Sequence, residues 1–123
     1  MLQTWLRKFG YAFRGVAFGI RGQSSFAVHL PVAIAVIALA AFLNCAMWEW
    51  CILLLCIGLV IAAELMNSSI EELARGLCRE HNEHVGRALD TAAGAVLIAA
   101  VFSAVVGCLI LGARTWALFV VVG

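Results

Sequence analysis

The sequence predicts an all-α integral membrane protein, with an N-terminal amphipathic helix on the bilayer surface followed by three transmembrane helices. Three observations carry that expectation. Of 123 residues, 65% are hydrophobic and only 12% are charged, against about 45–50% and about 25% in soluble domains. Three long uncharged apolar runs divide the chain after residue 25, and seven of its eight basic residues fall on one side of them. A chain of 13.2 kDa could not hide so much apolar surface in water, because small domains bury the smallest fraction of their surface. The same apolar content excludes a disordered chain. A net charge of +1 gives no basis for a nucleic-acid partner.

Residues 1–22 read as the surface helix. Leu2, Trp5, Phe9, Phe13, Val16 and Ile20 share one helical face, and Arg7, Arg14 and Arg21 recur every seven residues on the other. That is the pattern of a helix lying in the membrane plane. The first 25 residues lack a compact apolar h-region, so no cleaved signal peptide is expected. The first span, 26–44, holds an 18-residue uncharged run, with His29 read as a satisfied buried histidine or a packing residue. The second, 47–77, combines a 13-residue uncharged stretch with Trp48 and Trp50 as interfacial anchors, and extends beyond the bilayer. The third, 87–112, contains 22 uncharged residues, which fits the roughly 20 needed to span. The apolar tail 116–122 is left unassigned. Arg7, Lys8, Arg14 and Arg21 precede the first span and Arg75, Arg79 and Arg87 lie in 64–90, so both segments are expected on the cytoplasmic side. The five cysteines form no C-x-x-C pair and read as small reduced hydrophobes, with a Cys45–Cys51 disulfide as the alternative near one membrane face.

Chemistry concentrates where the second apolar run ends. Glu64, Asn67 and Glu71 fall at i, i+3 and i+7, on one face of a helix and at the membrane boundary. A carboxylate at membrane depth is expensive unless partnered or wet. One of these acids could take a proton from a lipid hydroxyl, and the other could hold Mg2+, which prefers oxygen ligands. Asp90 could return a further acid to the same interface. The alternative for this segment is a solvated extension with Glu71–Arg75 and Glu83–Arg87 as i,i+4 pairs, a reading kept for Glu72, Arg79 and Glu83 but not for Glu64, Asn67 and Glu71. His81 and His84, flanked by Glu80 and Glu83, have a spacing that permits a metal site. Gly10 and Gly15 have P-loop spacing, but valine follows where a P-loop needs lysine, and G-x-G-x-x-G is absent. Soluble kinase and NTPase folds are excluded.

The E-x-x-N-x-x-x-E segment Glu64-Leu-Met-Asn67-Ser-Ser-Ile-Glu71 resembles the small prokaryotic diacylglycerol kinase family, which includes the undecaprenol kinases. The likeness extends through Glu80-His-Asn82, Gly86-Arg-Ala-Leu-Asp90 and Ala92-Ala-Gly-Ala-Val-Leu97. Upstream, Gly10-Tyr11-Ala-Phe-Arg-Gly15 and Phe26-Ala-Val-His-Leu30 also resemble family segments. The resemblance implies a single membrane kinase domain over 1–123, a homotrimer with composite sites between subunits, and a location in the cell inner membrane. It implies ATP and Mg2+ as cofactors, Glu64 as general base and Asn67 as its polar companion. Glu71 would bridge magnesium, and Tyr11, Glu80, Asn82 and Asp90 would surround ATP, with Arg14 beside Tyr11. Shielding of Glu64 and Asn67 is expected to need the trimer. Gln23 stands where the family usually has a second metal-binding glutamate, Arg75 where aspartate is common, Leu89 in place of a lysine, and His81-Asn82 in place of a tyrosine-histidine pair. The implied reaction is phosphorylation of diacylglycerol. The alternatives are undecaprenol, which the span from Trp48 to Leu59 slightly favours, or a non-enzymatic membrane homologue.

Overall fold

A computed structural model describes residues 1–22 and 25–123. It contains four helices, α1 (Leu2–Gly22), α2 (Phe26–Phe42), α3 (Met47–Leu77) and α4 (Glu83–Val122), and no strand among the described residues. At about 1.5 Å per residue, α3 and α4 are about 46 and 60 Å long, and each is long and apolar enough to cross a bilayer. The bent pair α1–α2, whose axes differ by 106°, is the third candidate span.

The turn chemistry explains the boundaries. α2 has no polar cap at its C-terminal end and closes through Asn44, the only non-glycine residue with positive φ among the described residues, at 53°. Asparagine tolerates the left-handed region better than most side chains. The expected first span therefore ends two residues early, at Phe42. Pro31 sits inside α2, where it removes one backbone donor, a loss that membrane helices tolerate when neighbours resatisfy the backbone. α4 begins at Glu83, earlier than expected, because the Asn82 side chain accepts from the His84 and Val85 amides at 2.9 and 3.2 Å. It then runs on through 116–122, so the unassigned tail is about two more turns of the same helix.

The main pairing is α3 with α4, with α2 packed more lightly on both. The core sits at the end of the bundle where α3 begins. Ala40, Leu53 and Leu111 form it, with Val36, Leu43, Cys45, Trp50 and Ile110 packed around them. Trp50 thus joins the core, while Trp48 stays exposed. At this end Glu49 Oε1 accepts from the Ala46 amide at 2.8 Å and from Arg114 Nε at 2.7 Å and Nη2. The five cysteines are all free, so the Cys45–Cys51 alternative is not formed. Burial, and then the Glu49 carboxylate, push the Cys45 thiol up against a smaller lowering by Arg114, which keeps it protonated and unreactive. α1 meets α3 at one close approach, where Gly19 faces the Leu65 side chain so tightly that a Cβ would lie 2.5 Å from Leu65 Cδ2.

Candidate active site

The Glu64, Asn67 and Glu71 face is formed as the periodicity predicts, all three lying on α3. Glu64 is 1% exposed and Asn67 8%. A single chain therefore already shields both, which corrects the expectation that shielding needs a trimer. The cover comes from α2 as it packs on α3. Ser25 Oγ donates to Glu64 Oε2 at 2.6 Å, and His29 Nδ1 stands 2.8 Å from Glu64 Oε1, without hydrogen-bond alignment. Ser25 occupies the N-cap position of α2, yet its hydroxyl makes no cap bond and is spent on Glu64. Below Glu64, Asn67 Nδ2 donates to Glu71 Oε1 at 3.0 Å, and the buried Asn67 Oδ1 has no partner.

One helical turn further, α3, the 78–82 connection and the start of α4 enclose a cleft of about 510 Å³. Glu71, Glu80 and Asn82 line it together, as do Arg75, His81 and Leu89. Asn82 enters it as the cap of α4, so its Oδ1 is engaged. The Cys78 thiol donates to the Glu80 carbonyl at 2.9 Å and tightens the connection. The other expected residues are not gathered here. Asp90 is exposed on α4 and is not part of this cleft's lining, and Tyr11 and Arg14 are exposed on α1, with the Arg14 guanidinium 5.6 Å over the Tyr11 ring. Gln23 lies outside the described residues. Arg87 pairs with Glu83 at 2.7 Å as expected, and Arg75 reaches Glu72 at 3.3 Å. Among the described residues no group of three or more His, Cys, Asp or Glu could hold a metal, which includes His81 and His84.

From the Glu64 end an open apolar groove of about 500 Å³ runs between α2, α3 and α4, from His29 to Thr115. The buried acid thus lies between the head of the hydrocarbon-lined groove and the polar cleft. Ser25 and His29 escaped the sequence reading of the site, although a histidine inside an uncharged run is itself a signal that a polar partner lies at the same depth.

A sequence model of prokaryotic diacylglycerol kinase matches residues 10–111. The chain belongs to that family. It is a membrane protein and a kinase-like phosphotransferase, and the family implies a phosphoryl donor such as ATP. An undecaprenol kinase of Bacillus subtilis is 33% identical over 109 residues, covering 89% of each chain. A diacylglycerol kinase of Synechocystis is 35% identical over 108 residues, 86% of this chain and 62% of the relative. A diacylglycerol kinase of Escherichia coli K12 is 26% identical over 102 residues, 83% and 84% respectively.

Proposed function

We propose that this kinase transfers the γ-phosphate of Mg-ATP to the hydroxyl of diacylglycerol, giving phosphatidic acid, at the cytoplasmic face of the inner membrane. The observation that carries the reading is the buried Glu64 carboxylate, held between α2 and α3 where the apolar groove ends and the Asn67–Glu71 row begins. Diacylglycerol carries a long apolar body and one terminal hydroxyl, which suits a groove headed by His29, with Glu64 directly behind it.

The steps follow from the side chains. Glu64 accepts the proton of the lipid hydroxyl as its oxygen attacks the γ-phosphorus, and the bond to the ADP oxygen breaks. Ser25 donates to Glu64 and holds the carboxylate in place. Asn67 donates to Glu71 through its side-chain amide and so orients that carboxylate. The oxygen donors of Glu71 and the unpartnered Asn67 Oδ1 fit a hard divalent cation, because Mg2+ takes one or two carboxylates and completes its shell with water and phosphate. Held there by Glu71 and Asn67, such an ion would neutralise phosphate charge. Arg75 and the capped N-terminus of α4 add positive potential to a cleft that otherwise carries Glu71 and Glu80. Tyr11, Arg14, Asp90 and Gln23 would complete the nucleotide and metal sites across a subunit boundary.

Two further features belong to this reading. The 106° turn between α1 and α2, with apolar and basic faces on α1, supports a surface helix. A homotrimer is supported by the family resemblance and by a thin core, since only six apolar side chains are buried among the described residues. A second lipid has its own support: the Bacillus subtilis relative, an undecaprenol kinase, matches along 89% of both chains.

Purified protein given labelled ATP and Mg2+, with each lipid in turn, tests the reading. Phosphorylated diacylglycerol is expected, with Glu64→Gln lowering kcat by about 10²–10⁴-fold. Label only in undecaprenol reassigns the substrate, and label in neither lipid returns the chain to a non-enzymatic role.

A further inference from the structure

We infer that His29 is a positioning residue that also carries away the proton Glu64 takes from the substrate. The inference rests on the reading of Glu64 as general base. A base must be reset after each turnover, and Glu64, at 1% exposure, has no direct route to bulk water. Its two oxygens have different neighbours. Oε2 accepts from the Ser25 hydroxyl at 2.6 Å, which fixes the carboxylate plane. Oε1 faces His29 Nδ1 at 2.8 Å, and neither atom has an aligned hydrogen bond. Two buried acceptors at that distance are stable only if one proton can lie between them, because unpaired buried polar atoms are costly. His29 is the partly open member of the pair, its side chain 25% exposed.

The proton count closes. The lipid O–H bond breaks as the oxygen–phosphorus bond forms, its proton goes to Glu64, and the ADP oxygen leaves with the electron pair. Protonated Glu64 then passes the proton from Oε1 to Nδ1, giving an imidazolium opposite a restored carboxylate. The imidazolium releases its other proton, on Nε2, to water at its exposed side, and tautomeric exchange or a ring flip then frees Nδ1 for the next turnover. Histidine suits this task because its neutral form has one free ring nitrogen to receive a proton. The signal is spatial, since the two residues lie 35 positions apart on different helices.

The test uses the full-length protein in lipid, with kcat and KM for both substrates. His29→Gln keeps a polar side chain that cannot carry a proton. It is expected to lower kcat about tenfold or more, with both KM values within about twofold of wild type. In His29→Ala, added imidazole is expected to restore turnover. Wild-type kcat in His29→Gln beside an inactive Glu64→Gln overturns the relay and leaves the base intact. A loss expressed in KM, or one that imidazole does not relieve, assigns His29 a packing role and also overturns the relay. Should His29→Ala fail to fold, the division between kcat and KM in His29→Gln decides. Turnover that survives in Glu64→Gln removes the base, and the relay with it.

Discussion

Leu89 lines the cleft beside Arg75 and His81, on the face of α4 that looks toward Glu71. An apolar side chain there gives a nucleotide phosphate nothing to bind, and the resemblance sets a lysine at this position. Leu89→Lys should therefore lower the KM for ATP several-fold and leave the lipid KM unchanged, as steady-state kinetics with each substrate varied would show. A charge-assisted contact to phosphate is worth roughly 1.5–3 kcal/mol, enough for such a shift even after the desolvation of the ammonium. An unchanged KM for ATP would mean that the phosphates do not occupy this cleft. Asn82 shows how one residue can serve two roles, since the oxygen that caps α4 fixes the floor of the same cleft.

At the scale of the helices, the α1–α3 contact is the one most easily overfilled. Gly19 lets the α1 backbone reach Leu65, the residue after Glu64. Gly19→Leu should push α1 off α3, at a cost of about 1–3 kcal/mol. A lower detergent melting temperature together with lost turnover would show that α1 is part of the working site, whereas unchanged activity would detach it. The elements themselves were legible because apolar run length and helical period are local properties. The three uncharged runs marked α2, α3 and α4, and the spacing of Glu64, Asn67 and Glu71 marked one face of α3. What surrounds Glu64 was not legible. Ser25 and His29 reach it across two helices, and no local period encodes which turn of α2 lies against which turn of α3. The long reach of α4 was missed for another reason. Arg114 reads as the end of a span, yet its charge is satisfied by Glu49, so the helix need not stop there.

Across the whole molecule the best-packed region and the chemistry lie at opposite ends. The core of Ala40, Leu53 and Leu111 adjoins the Glu49–Arg114 pair, while Glu64 and the cleft lie toward the other end and the groove runs between the two. Glu49 is buried while Arg114 is partly exposed, so removing Arg114 leaves a buried charge uncompensated, which is worse than removing both. Arg114→Leu and Glu49→Gln should each lower the melting temperature, and the double variant should lower it less than the sum of the two. Additive losses would show the pair to be uncoupled. The groove from His29 to Thr115 is open along its flank rather than roofed over. A greasy alcohol can then slide in sideways from the surrounding leaflet and never needs to be lifted into water. Its encounter with the enzyme is a two-dimensional search, so saturation should follow mole fraction in the bilayer, and diluting the lipid with inert phospholipid should slow the reaction at constant bulk concentration.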